Sequence, residues 1–295
     1  MPKTITLPAA PGTGELYGKA VTALLPGIGK PPRVPADATA PETRYRLEGI
    51  RVDSAALQAY CHATGQRFGD TLPLTYPFVL QFPVTMKLMT SDEFPFGAVG
   101  SVHMTNTIER KRPIAAGEPL DIVTHAQNLR EHRKGILIDV VSEISVGSEL
   151  VTTQTATFLK QQRTSLSDEP RGPEPKSKTP PPPDAILAVD LKRIREYAAA
   201  SGDRNPIHMG NLPAKAFGFP RAIAHGMWSA AAAIANVEAQ LPDAVTYDVR
   251  FGKPILLPAK VNLYTRRIDG TGNFDISIRD RRKGFPHLTA TTREG

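Results

Sequence analysis

Residues 197–228 read YAAASGDRNPIHMGNLPAKAFGFPRAIAHGMW. This stretch opens a run in which four consecutive alanines, 230–233, lie between Trp228 and Ile234. A helix over 227–237 is apolar nearly all round, and such a helix must be buried on every side. The rest of the chain has to supply the wrapping. The earlier part of the stretch differs in kind. Asp203, Asn205 and His208 fall within six residues on a turn punctuated by Gly202 and Pro206, and His225-Gly226 follows seventeen residues after His208. An acid and an imidazole on one loop can share a water, and the first turn of a helix offers free N–H groups to an oxygen carrying negative charge.

Working outward, residues from Val189-Asp190 place Leu191, Ile194, Tyr197 and Ala198 on one face of a helix that ends before Gly202. After the alanine helix, alternating apolar residues predict strands over 245–251, 260–266, 273–279 and 287–292, with Asp269-Gly270-Thr271-Gly272 as a hairpin loop. Upstream, residues 161–183, QQRTSLSDEPRGPEPKSKTPPPP, are polar and proline-dense. They cannot bury enough apolar surface to fold alone, so they read as a linker rather than as a recognition ligand.

The first half follows the same order. A helix is expected from Val52-Asp53 with Ala56, Leu57 and Tyr60 on one face, ending at Gly65. A proline-rich stretch over 72–83, an apolar run over 78–89 and strands over 101–109, 120–128, 135–145 and 150–158 come next. Residues 1–40 read as a leader strapped over the surface, with a short helix over 16–25. VDSAALQAYCHATGQ (52–66) aligns without a gap with VDLKRIREYAAASGD (189–203), and RPIAAGEPLDI (112–122) with KPILLPAKVNL (253–263). One α+β module is therefore used twice. The organisation is a leader (1–40), a first module (41–160), the linker (161–183) and a second module (184–295).

The repeat is an internal control on the chemistry. Opposite Gly202 to His208 the first half has Gly65-Gln66-Arg67-Phe68-Gly69-Asp70-Thr71, without the acid or the imidazole. Matching Phe219-Pro220 to Tyr76-Pro77 sets His225-Gly226-Met227 opposite Phe82-Pro83-Val84. The second module is thus read as catalytic through Asp203 and His208, and the first as a scaffold. Asn205 is expected to orient the pair or the substrate carbonyl, and the Gly226 N–H to hold that carbonyl oxygen. His225 is read as bonded to backbone beside the substrate site rather than as a catalyst. Proline within 73–89 is expected to bend or shorten the first module's helix and leave an apolar slot. Phe82 then marks that slot as a binding place for an apolar part of the substrate.

Gly202, Asp203, Asn205, Pro206, Ile207 and His208, followed by Ala224, His225, Gly226 and Met227, fill the pattern G-D-x-N-P-[IL]-H … A-H-G-M. This closely resembles the signature of the MaoC-like, or (R)-specific, enoyl-thioester hydratases. The whole chain resembles the two-module dehydratases of mycobacterial type that act on 3-hydroxyacyl thioesters. The resemblance implies a double hot-dog fold with one continuous sheet, (3R) stereochemistry, and substrates carried on coenzyme A or acyl carrier protein. It implies no other cofactor. An acyl-thioester hydrolase and a non-catalytic acyl-CoA-binding protein are the rival readings.

Composition sets outer bounds. The 295 residues include one cysteine, Cys61, so no intramolecular disulfide and no multi-thiolate metal site can form. His62, His103, His125, His132 and His287 lack metal-site spacing, and no metal is expected. A formal net charge of +7 fits an anionic partner, and the coenzyme A phosphates are a more economical one than nucleic acid because no aromatic-and-basic stripe occurs. No apolar run of about 18 residues and no signal peptide is seen, which makes cytoplasm the expected compartment. The modules are expected to act as a pseudo-dimer within a monomer or homodimer.

Overall fold

Asp53 and Asp190 start two helices in the same way, and glycine ends both. The Asp53 carboxylate accepts from Ala56 N–H at 2.7 Å and that of Asp190 from Arg193 N–H at 2.8 Å. Each satisfies a donor that the first helical turn leaves free. Gly65 (φ 80°) and Gly202 (φ 74°) adopt the left-handed conformation past the last turn, which turns the chain sharply away. The paired helices are α2 (Ser54–Thr64) and α4 (Leu191–Ser201), and they pack on each other.

The computed structural model describes residues 3–22, 33–169, 181–268 and 272–295. Before α2 come β1 (Thr4–Thr6), α1 (Thr13–Thr22) and β2 (Arg44–Ile50). After it come α3 (Pro77–Met89), β3 (Val102–Arg110), β4 (Leu120–His132), β5 (Gly135–Val146) and β6 (Glu149–Gln161). The second half starts with β7 (Ala185–Val189), and two short helices, α5 (Pro206–Met209) and α6 (Asn211–Ala216), follow α4. Then come α7 (Gly226–Ala235), β8 (Val245–Phe251), β9 (Ala259–Ile268), β10 (Asn273–Asp280) and β11 (Pro286–Glu294).

The strands form one sheet in the order β1-β2-β4-β5-β6-β3-β8-β11-β10-β9-β7. Apart from β1 the order is palindromic: β2-β4-β5-β6-β3 is mirrored by β7-β9-β10-β11-β8. The halves meet where β3 pairs antiparallel with β8, from Thr105 opposite Arg250 to Arg110 opposite Val245. The Thr107 hydroxyl donates to Asp248 across this seam at 2.8 Å. All of Met227 to Ile234 in α7 is buried, as an apolar helix requires. Trp228 Nε1–H reaches Ala63 O at 2.9 Å and so ties α7 to the other half.

Several expectations change. The leader is more than a strap: β1 extends the sheet in parallel with β2, and α1 is fixed by buried Leu16 and Ala20. The first module's helix is not shortened, since α3 runs thirteen residues through Pro83. Proline inside a helix costs about 3 kcal/mol, and here burial of Phe78, Phe82, Val84, Met86, Leu88 and Met89 offsets it. Because α3 starts at Pro77 and α7 at Gly226, Tyr76-Pro77 and not Phe82-Pro83 stands opposite His225-Gly226. Of the joint, residues 162–169 lie against the first module, where Gln162 accepts from Val34 N–H at 2.8 Å and Thr164 bonds His132 O at 2.9 Å. Residues 170–180, and 269–271 of the expected hairpin loop, lie outside the described residues.

Candidate active site

Asp203 is the first residue beyond the left-handed Gly202, and the turn after it is built on local hydrogen bonds. The Asn205 side chain caps α5 by accepting from Ile207 N–H at 3.4 Å. The Asn205 main chain does more for the site, because its N–H donates to Asp203 Oδ1 at 3.2 Å and its carbonyl accepts from His208 N–H at 3.0 Å. Asn205 thus orients the pair chiefly through backbone. Pro206 at the first helical position suits this geometry, since its missing N–H is one the helix would not use.

His208 is buried, and its Nδ1–H donates to Ile223 O at 2.8 Å. That bond fixes the tautomer and leaves Nε2 as the unprotonated nitrogen in the neutral ring. His225, the residue before α7, is also buried; its Nε2–H donates to Asp203 O at 2.9 Å and lies 3.9 Å from Asp203 Oδ2. The two imidazoles lie close together, with ring centroids 3.7 Å apart and planes tilted by 31°. Burial holds both below the ordinary histidine range, His225 down to about 3. Burial alone would raise the Asp203 pKa. His225, His208, the Tyr17 hydroxyl and the Asn205 N–H together hold it below its ordinary value. The Asp203 side chain keeps 20% of its surface exposed, so this carboxylate is both ionised and reachable.

The expected site residues Asp203, Asn205, His208, His225 and Gly226 therefore converge. Gly226 occupies the first position of α7, whose N–H no helical carbonyl can satisfy. A Cβ at Gly226 would come within 3.1 Å of the Phe251 ring, so a side chain there would require the ring to give by a few tenths of an ångström. From Phe251 a row of rings runs into the first module. His103 lies 4.8 Å from Phe251 and 4.8 Å from Phe158, Phe78 lies 6.2 Å from His103, and Phe82 lies 5.8 Å from Phe78. Phe82 is thus joined to the site through other rings rather than by touching it.

Sequence reasoning missed Tyr17, His103, Phe158 and Phe251. The three ring residues sit on strands with no motif around them, and only the β3–β8 seam brings His103 and Phe251 together. Tyr17 comes from the leader, and its hydroxyl donates to Asp203 Oδ1. Asp203, His208 and His225, with ligand atoms within 4.8 Å of one another, are also the group among the described residues that could hold a metal.

A partly exposed carboxylate, a histidine of fixed tautomer and a helix N–H without a helical partner are groups able to hold a water and an oxyanion. Comparison with known proteins agrees with that chemistry. A MaoC like domain is matched over residues 173–283. The chain is 49% identical over 262 residues to 3-hydroxyacyl-thioester dehydratase X of Mycobacterium tuberculosis, covering 89% of this chain and 93% of that protein. The chain belongs to the MaoC-like dehydratase family. As a MaoC-like dehydratase it is a hydro-lyase with a double hot-dog architecture. A crystal structure of HtdX of Mycobacterium tuberculosis superposes with a TM-score of 0.76 at 46% identity, over 85% of this chain and 100% of that one. The fold reaches beyond the MaoC-like enzymes: 12:0-ACP thioesterase from Umbellularia californica gives a TM-score of 0.51 at 10% identity, over 85% and 98% of the two chains. That last likeness is of fold alone.

Proposed function

We propose that the protein interconverts (3R)-3-hydroxyacyl and trans-2-enoyl thioesters, carried on coenzyme A or acyl carrier protein, by acid–base chemistry at Asp203 and His208. The observation that carries this is the pairing of an ionised, accessible carboxylate with a histidine whose Nδ1–H is committed to Ile223 O at 2.8 Å. Both then face the site as proton acceptors. A water lying between them gives each a hydrogen and turns a lone pair towards C3 of an enoyl thioester. As the hydroxyl adds to C3, one proton passes through the pair to C2, and dehydration is the reverse. The Gly226 N–H supports the thioester oxygen while negative charge builds on it. His225 acts on this set from behind, by fixing the Asp203 carbonyl.

The acyl tail runs from Phe251 past His103 and Phe78 towards Phe82, so that the first module takes the chain while the second holds the thioester. The pair works without a metal, and no nucleic acid takes part. No helix among the described residues is long and apolar enough to cross a membrane. The test is incubation with a trans-2-enoyl thioester, following conjugated-enone absorbance and free thiol together. Absorbance loss without thiol is expected. Thiol release would make the protein a thioesterase, and no change a binder.

A further inference from the structure

Tyr17 belongs to no motif; it lies 186 residues upstream of the acid it touches. Its placement is nevertheless built into the fold. Strand β1 holds the leader to the sheet edge through the Leu7 N–H to Arg46 O bond of 2.7 Å. Buried Leu16 and Ala20 then anchor α1, which packs on α3 of the first module. At the second module, a Cβ on Gly202 would lie 3.3 Å from the Thr13 side chain. Helix α1 thus rests on the scaffold half and the catalytic turn at once, with Tyr17 between them.

Asp203 Oδ1 accepts from both the Tyr17 hydroxyl and the Asn205 N–H. A carboxylate oxygen with two donors is committed, which leaves Oδ2 as the oxygen on the side of His225. Beside His225 and His208, these two donors favour the ionised carboxyl against its burial. Burial and the Asp203 charge push the Tyr17 phenol far above its ordinary range, so it keeps its proton and remains the donor.

We propose that Tyr17 is a positioning residue of the reaction: it fixes the rotation of the Asp203 carboxylate and reserves Oδ2 for the shared water. The leader is then part of the active site, and the scaffold half sets the acid of the catalytic half through α1. This assignment rests on Asp203 belonging to the proton-handling pair.

The test replaces Tyr17 in the full-length protein, once by phenylalanine and once by 3,5-difluorotyrosine, a more acidic phenol and a stronger donor. Tyr17→Phe is expected to lower kcat about tenfold with KM within about threefold, the loss of one hydrogen bond to a charged group, and to move the acid limb of the kcat profile upward. The fluorinated residue should move that limb downward. Neither change should shift Tm by more than a few degrees. Titration of the 13C-labelled Asp203 carboxyl should move in the same two directions. Because that readout needs no turnover, it separates failure of this proposal from failure of the dehydratase reading. Unchanged kcat and unchanged carboxyl titration in both variants would reduce Tyr17 to a packing residue. A faster Tyr17→Phe enzyme with lower KM would make α1 an obstacle to substrate, which also overturns the proposal.

Discussion

The two halves leave their first helix identically and then diverge. From Gly65 the chain needs seven residues to reach Leu72, whose N–H bonds Ile114 O at 2.8 Å. From Gly202 it takes twenty-two residues to reach Ala224, whose N–H bonds Ile255 O at 3.0 Å. Ile114 and Ile255 are equivalent in the repeat, so the second half carries fifteen additional residues at this point, including α5, α6 and His208. The gapless alignment of 65–71 with 202–208 therefore fails after Gln66: Asp70 and Thr71 are already returning to the sheet, where Ala116 N–H bonds Asp70 O at 2.8 Å. At Asp203's place stands Gln66, which accepts from Thr75 at 2.7 Å, while Tyr60 bonds Thr75 at 2.8 Å. One half closes its helix end with a buried polar knot. The other opens it with an insertion that delivers a histidine. On the proposed reading the shared frame supplies the position of Asp203 and the insertion supplies His208.

The largest effect should come from the insertion. His208→Asn is expected to lower kcat by about 10² or more with Tm within a few degrees, measured by enone absorbance and a thermal melt. Full activity would remove the insertion from the mechanism. A smaller effect concerns the frame. If the first half takes the acyl tail, kcat/KM should rise along a chain-length series, each added methylene contributing up to about 0.8 kcal/mol. Phe82→Trp should then penalise long chains most. A flat series, or an unaltered long-chain preference in the variant, would place the tail elsewhere.

The smallest effect is on stability. Burial holds His103 down at about 4 and His225 at about 3, and lowers His208 as well. Unfolding releases each to about 6.5. Groups with depressed native pKa contribute stability that is present above the unfolded value and lost as pH falls towards the native one. The melting temperature should therefore decline from about pH 6.5 downward, and His103→Phe should make the decline shallower. A profile flat to pH 4 would mean these rings protonate in place.

The fold was legible where its causes were local. The helix caps at Asp53 and Asp190, the all-round apolarity of α7 and the alternating strands are written in neighbouring residues, and the repeat showed that they occur twice. Asp203, His208 and Gly226 were legible because one short turn and one helix start contain them. Three things were not. The run of α3 through Pro83 depends on what surrounds it, and periodicity carries no such information. The ring row from Phe251 to Phe82 exists because β3 pairs with β8. Tyr17 reaches Asp203 because β1 and α1 lead the chain back across both halves, and nothing near residue 17 marks it.

One paired measurement bears most directly on the division of labour between the halves. Asp203→Asn and Gln66→Leu change equivalent positions, and both enzymes can be assayed on the same trans-2-enoyl thioester alongside a thermal melt. Gln66→Leu should keep kcat within about twofold, whereas Asp203→Asn should lose about 10² or more at nearly unchanged Tm. Equal losses in the two variants, or an active Asp203→Asn enzyme, would contradict a catalytic second half resting on a silent first.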